Sequence, residues 1–527
     1  MDTQLLTNGK IYTMDASQPT ATAVAMRDGK LIAVGSDEAI RALGGTEIDL
    51  DGRCVIPGLI DSHVHFEGFS LALSEINLLD TESLEVAMAR IETRADATSE
   101  GEWLLGRGWT QADWASHQFP TSADLDSVSG QHPAYLRHRS GHAGWVNSRA
   151  MRMAGIDANT PDPSGGQIQR DADGNPTGIL FETAMELVAD LVPPYTEEQI
   201  VRAMREGQAY CWKVGLVGVH DFDGVSCFQA LQTLQRNGEL GLRIVKNIPN
   251  AHVDHAIGAG LRSGFGDEWI RIGGVKMFAD GALGPRTALM IEPYEGDPDN
   301  RGMSVLDKEE MMEIAHKAYK NQLAITVHAI GDQAVHDVID ICESIQTAGY
   351  GTPPAVPNRI EHVQIVHPMD HHRLAELDVI ASMQPIHATS DITIAERNWG
   401  SRTKDSYALR TMLESGATVV FGSDSPVEPI EPLIGIHAAV TRQRADSTPA
   451  GGWHPEQAFT MQEAIHAFTT AAAITSRQEA RAGSITVGKL ADLTILEKDI
   501  FEAQGADILS VGVAGTVVGG EFKYRAF

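Results

Sequence analysis

The sequence predicts an α/β protein built on a (β/α)8 TIM-like barrel, with a small β-sandwich assembled from both termini and an inserted domain after the first barrel strand. Three observations predict it: eight apolar strand-like runs alternating with helical segments, short glycine-turned strands at the two ends, and one long irregular stretch that breaks the alternation.

The eight runs begin at Val55 (VIPGLIDSHVH), Leu216 (LVGVHDF), Leu242 (LRIVKNIP), Ile270 (IRIGGVKMFAD), Leu323 (LAITVHAIGD), Arg359 (RIEHVQIV), Val379 (VIASMQP) and Thr418 (TVVFGSD). Parallel strands joined by crossover helices read this way, and eight is the number that closes such a barrel. Helix starts fall in the gaps: Thr196 with Gln199, and Asp307 with Glu310, have capping-box spacing ahead of amphipathic runs.

At the start of the chain LLTNGKIYTM is followed by TAVAMRDGKLIAVG, where Asp28-Gly29 sits between alternating apolar residues and favours a two-residue hairpin. GSITVGKLADLTIL and AGTVVGGEFKY near the other end have the same texture and no helical period. From about Leu71 to Pro194 the chain breaks into short pieces rich in Trp, Gly, Asp and Pro, far longer than an ordinary βα connection. The expected division is therefore 1–56 with 481–527 as the sandwich, 57–74 with 195–480 as the barrel, and 75–194 as an inserted substrate lid.

Composition narrows the function. The 527 residues are 43% hydrophobic and 21% charged, as in an average globular protein. A formal net charge of −30 repels phosphate backbones and acidic bilayers, which argues against nucleic-acid and membrane-surface partners. Cys54, Cys211, Cys227 and Cys342 are scattered without a C-x-x-C pair, fitting neither a disulfide framework nor a thiolate zinc site. With no basic-then-apolar leader and no run of about 18 apolar residues, a cytoplasmic location is expected.

The chemistry gathers at strand ends. His63 and His65 alternate along the first strand and face the same way, so two imidazoles can share a metal. The fifth strand ends at His328, the sixth carries His362, and the eighth runs into Asp424. The C-terminal ends of barrel strands form the active face, so these side chains converge from distant segments. Collecting them there without a partner would cost several kcal/mol of desolvation. Lys276, near the end of the fourth strand among Val275, Met277 and Phe278, is expected to be buried. Two readings fit it: an ion pair with Asp280 or another carboxylate, or a desolvated neutral amine that takes up carbon dioxide to give a metal-bridging carbamate. The remaining histidines, including His371, His372 and His466, lack this strand-end context.

The chain resembles the amidohydrolase superfamily, and within it the YtcJ-like branch to which N-substituted formamide deformylases belong. The resemblance spans nearly the whole chain. It rests on LLTNGKIYTMD, PGLIDSHVHF, GRGWTQADW, PAYLRHRSGHAGWVNSRA, GGQIQRDADGNPTGILFE, GVKMFADGALGPRTA, VHAIGD, RIEHVQ, FGSDSPV and KLADLTIL. It implies a metal-bearing barrel with a terminal β-sandwich, and places ligands at His63, His65, Lys276, His328, His362 and Asp424. One-metal and two-metal sites both occur in the superfamily. Zinc suits imidazole and carboxylate donors, and manganese or iron can occupy the same set.

The expected reaction is attack by metal-activated water on a non-peptide C–N bond, with Asp424 as general base and then acid. His328 and His362 either hold a second metal or polarise the substrate carbonyl. Trp109, Trp114, His142 and Trp145 lie in aromatic-rich parts of the insert, where they either contact substrate or pack the insert's own core. His142 and Arg286 are the preferred substrate contacts, with Trp109 and Trp114 as pocket walls. Asp280 and Arg286 follow the fourth strand and either orient ligands or form a structural ion pair. A small N-substituted amide such as a formamide is the leading substrate. Cyclic amides, carbamates, esters, lactones and deamination are alternatives within the superfamily, a non-catalytic scaffold is the alternative outside it, and a homodimer is the expected assembly.

Overall fold

The computed structural model describes residues 3–79, 81–111, 114–139 and 142–527. The chain divides into two compact units, Met1–Phe69 with Met204–Phe527, and Ser70–Ala203.

The first unit holds the barrel. Its strands are β1 (Leu59–Val64), β2 (Leu216–Asp221), β3 (Arg243–Pro249), β4 (Ile270–Phe278), β5 (Ile325–Ala329), β6 (Arg359–His362), β7 (Ile380–Met383) and β8 (Val419–Phe421). They pair in chain order as one eight-stranded parallel sheet. The ring closes just beyond β8: Asp424 N–H donates to His63 O at 2.7 Å, and His65 N–H to Ser425 O at 2.9 Å. Asp61 reinforces this seam, its Oδ1 accepting from the backbone N–H of His63 and of Ser423, each at 3.0 Å. Helices cover the outside as the pattern predicts. Asp307 caps Lys308–Lys320 by accepting from Glu310 N–H at 2.8 Å. The helix Asp332–Thr347 buries Val335, Val338, Ile339 and Cys342 along one stripe.

The closing seam tolerates no side chain at position 422. A Cβ on Gly422 would lie 2.4 Å from His63 N and 2.8 Å from His63 Cβ. Gly422→Ala is therefore expected to destabilise the fold by about 1–3 kcal/mol and to lower metal retention, because the displaced backbone carries His63. Thermal unfolding together with metal analysis checks this; a variant matching the parent in both would show that the seam has slack.

The run from Val55 to His65 is two strands, not one. Cys54–Pro57 belongs to the sandwich and β1 starts at Leu59. At the break Gly58 N–H donates to Asp492 O at 2.9 Å, and a Cβ there would meet Val217 at 2.5 Å. Both strands are almost wholly buried, so hydropathy runs on unbroken through the change of sheet.

The sandwich packs a four-stranded sheet (order Lys30–Gly35, Ala23–Arg27, Gln4–Thr7, Thr46–Asp49) on a six-stranded one (Glu521–Arg525, Val513–Val518, Leu493–Leu496, Cys54–Pro57, Lys10–Tyr12, Thr20–Ala21). Leu6, Val24 and Met26 of the first share a core with Ile11, Val55, Leu493 and Val517 of the second. Asp28 and Gly29 both take positive φ, 50° and 77°, between paired strands, as a two-residue hairpin with a twist-matched turn requires.

The second unit is built on a six-stranded sheet, order Gly166–Arg170, Pro176–Glu182, Ala143–Val146, Ala134–His138, Leu104–Trp109, Ile76–Asn77. Its core gathers Trp109, Trp114 and Trp145 with Leu136 and Ile179. Trp109 and Trp114, expected as walls of a substrate pocket, are instead fully buried core residues of this unit. The Trp109 indole N–H donates to Leu136 O at 2.9 Å and that of Trp114 to Thr81 O at 3.2 Å, so their polar edges are used internally as well. No helix among the described residues is long and apolar enough to cross a membrane, and the four cysteines are buried free thiols.

Candidate metal centre

Three of the expected ligands meet directly. One ligand atom from each of His63, His362 and Asp424 lies within 4.8 Å of the others, and all three residues are buried. His63 Nε2 is 3.3 Å from Asp424 Oδ1, and His65 Nε2 is 3.6 Å from the same oxygen. The His362 ring stands 5.0 Å from that of His63 and 4.5 Å from that of His328, centroid to centroid. Backbone strain marks the spot: His362, Val363 and Asp424 have φ of 76°, 46° and 61°, conformations that non-glycine residues keep only where the surroundings enforce them.

Each imidazole is fixed from behind by an acceptor. His63 Nδ1 lies 2.6 Å from Glu361 Oε2, His65 Nδ1 2.9 Å from Asp223 Oδ1, His362 Nδ1 2.9 Å from Gln384 Oε1, and His328 Nε2 2.9 Å from Gly281 O. Carboxylate and carbonyl oxygens only accept, so these nitrogens carry a ring proton, and where the ring is neutral the opposite nitrogen carries the lone pair; burial would lower His65, but Asp223 more than offsets it and raises that ring above its ordinary value. This is the outer-partner arrangement that orients histidine ligands of metals. The charge states match: burial drives His362 well below its ordinary value and His328 down to about 3. Burial would raise Asp424, but His63, His387 and His362 more than offset it and keep the carboxylate ionised. Neutral imidazoles and an ionised carboxylate are the deprotonated forms a metal binds, so the donor set fits the ion that the fold implies.

Beneath the histidines the barrel interior is charged. The buried Arg359 lies with Nε 2.9 Å from Glu361 Oε1 and donates through Nη2 to Ser62 O at 2.7 Å and Ser382 Oγ at 2.9 Å. Burial would raise Glu361, yet Arg359 and His63 hold it at about 2. A permanent anion thus backs His63.

Lys276 is 4% exposed, and among the described residues no carboxylate lies within ion-pairing distance of its Nζ. It sits instead 4.7 Å from the Phe222 ring centroid and 4.6 Å from that of Phe278. Burial pushes the ammonium down to about 8 against the pull of Glu361 and Asp424. The ion pair with Asp280 does not form. Asp280 accepts from the backbone N–H groups of Leu289, Ile330 and Gly331 at 2.8–3.0 Å and lies 3.6 Å from His328 Nε2.

Arg286 is committed to structural partners: Nε donates to Asn398 Oδ1, in the helix Ile392–Trp399, at 3.0 Å and Nη1 stands 3.7 Å from Asp297. His142, in the second unit, is exposed and lies 3.1 Å from Glu182 Oε2. Four features escaped the sequence reading, among them Asp223, which backs His65. Glu361 and Gln384 back two ligands, and His387, left among the histidines without context, lies with Nε2 3.5 Å from Asp424 Oδ2. Its signal was available, since His387 follows β7 by one short turn, at the strand end where function collects. A second acidic group, Asp221 with Asp223 and Cys227, has ligand-like spacing, but Lys246 Nζ already stands 2.6 Å from Asp221 and supplies the cation there.

Comparison with known proteins agrees with this geometry. Residues 46–524 match the amidohydrolase family model. The chain is 32% identical to the protein YtcJ of Bacillus subtilis (strain 168), over 98% of each chain. It is 26% identical to the N-substituted formamide deformylase of Arthrobacter pascens, over 99% of this chain and 98% of that one. Among solved structures, a metal-dependent hydrolase from Pyrococcus horikoshii OT3 superposes with a TM-score of 0.76 at 28% identity, covering 95% of this chain and 98% of that one. An eight-stranded parallel barrel, a buried His/Asp cluster at its strand ends and this full-length likeness lead to one conclusion: the chain belongs to the amidohydrolase family and is a metal-dependent hydrolase of carbon–nitrogen bonds.

Proposed function

We propose that the chain hydrolyses a small N-substituted amide, with an N-substituted formamide as the leading substrate. His63, His65, His328, His362 and Asp424 would hold zinc, as one ion or two, and Lys276 as a carbamate would bridge a pair. The observation that carries this reading is the meeting of His63, His362 and Asp424 within 4.8 Å at strand ends, each imidazole having its free nitrogen turned from a fixed acceptor. The formamide rests on the near full-length likeness to a deformylase of that class.

The bound metal supplies Lewis acidity, which brings the pKa of water from ~15.7 to about 7. Asp424 accepts the proton that water loses as its oxygen bonds to the amide carbon, then returns that proton to the nitrogen as the C–N bond breaks. The products are a carboxylic acid and an amine, which exchange a proton in water to give carboxylate and ammonium. His328, neutral and fixed through Nε2, stands beside the His362 ring as an uncharged ring. The depressed Lys276 (about 8) offers a fraction of free amine at neutral pH, the form that reacts with carbon dioxide.

The test is a panel of N-formyl amines, N-acyl amino acids, hydantoins and lactones, assayed with metal content measured in parallel. Chelation is expected to abolish activity and added zinc to restore it, with formyl amines turned over fastest. Preference for a lactone or hydantoin would contradict the substrate assignment, and activity that survives complete metal removal would contradict the mechanism.

A further inference from the structure

One turn of chain after β7 touches two ligands that come from different strands. Gln384 accepts from His362 Nδ1 at 2.9 Å, and three residues on His387 reaches Asp424. His387 is 7% exposed and lies in a helix that opens with Pro385 at its first position. Its Nε2 is 3.5 Å from Asp424 Oδ2, and its Nδ1 is 3.5 Å from Glu428 Oε1. The other Asp424 oxygen, Oδ1, faces His63 and His65 at 3.3 and 3.6 Å. The two oxygens of one carboxylate thus point to different partners.

That division has a consequence for coordination. The terminal torsion of an aspartate is soft and nearly two-fold, so an unrestrained carboxylate can turn to present both oxygens to a cation. A polar partner on Oδ2, itself anchored by Glu428, resists that turn. We infer that His387 is a positioning residue that holds Asp424 Oδ2 away from the ligand cluster, so that Asp424 meets the metal through one oxygen only. The inference rests on the metal site proposed above, and extends it to a residue outside the ligand set.

The experiment uses the full chain reconstituted with cobalt(II), whose visible absorption reports coordination number, together with steady-state kinetics on the formyl-amine panel. His387→Leu is expected to bind as much cobalt as the parent, to show a weaker absorption band because the carboxylate now chelates, and to lose about 10²-fold in kcat with KM within about threefold. His387→Gln, which keeps an N–H donor within reach of Oδ2, is expected to recover part of both the band and the rate. An unchanged spectrum and kcat in His387→Leu would overturn the inference. So would loss of cobalt in both variants, which would make His387 a structural or ligating residue. A parent that turns over no formyl amine would defeat the substrate proposal alone, since the cobalt spectra still decide the role of His387.

Discussion

Asp424→Asn is expected to lower kcat by about 10²- to 10⁴-fold, the range a general base contributes, with KM little changed. The substitution keeps the shape of the side chain and a carbonyl oxygen beside His63 and His65, so the metal is expected to stay. What it removes is the proton acceptor. The native carboxylate is ionised despite its burial and so is free to accept a proton. Steady-state kinetics alongside metal analysis separates the two functions: near-parental turnover would refute the assignment of Asp424 as base, and loss of metal would show that it acts chiefly as a ligand.

His362→Ala is expected to be as severe by a different route. The His362 ring stands between those of His63 and His328, and its loss removes one of the three donors that already meet. Removing an outer partner of a ligand typically costs about 10- to 100-fold in metal affinity, which is the expected loss for Gln384→Ala. Removing the ligand itself is expected to exceed that range and take activity with it. Competition with a chelator of known affinity measures both. Equal affinities in the two variants would mean that His362 does not ligate.

The fold was legible because its signals are local. Strand-like runs and turn dipeptides such as Asp28-Gly29 carry their own periodicity, and eight alternations permit few topologies. The first strand misled for a physical reason: Cys54–Pro57 and Leu59–Val64 are both buried, so no polar position marks where Gly58 passes from sandwich to barrel. The candidate ligands were legible because barrel geometry brings every strand end to one face. Their supports were not. Glu361 precedes His362 and reads as an ordinary acidic strand residue, yet it backs His63, 298 positions away. Asp223 and Gln384 act through loops whose path no periodicity encodes. Trp109 and Trp114 were ambiguous for the opposite reason, because the same indole fills a core or walls a pocket, and only the packing of their own unit places them in its core.

The most direct test is a crystal structure of the active, zinc-reconstituted protein with data collected at the zinc edge. The account predicts an anomalous peak about 2.0–2.2 Å from His63 Nε2, His362 Nε2 and an Asp424 oxygen, with a second peak and added density on Lys276 Nζ if the amine is carboxylated. An active crystal form with its anomalous peak elsewhere, or with none among these side chains, would contradict the central claim.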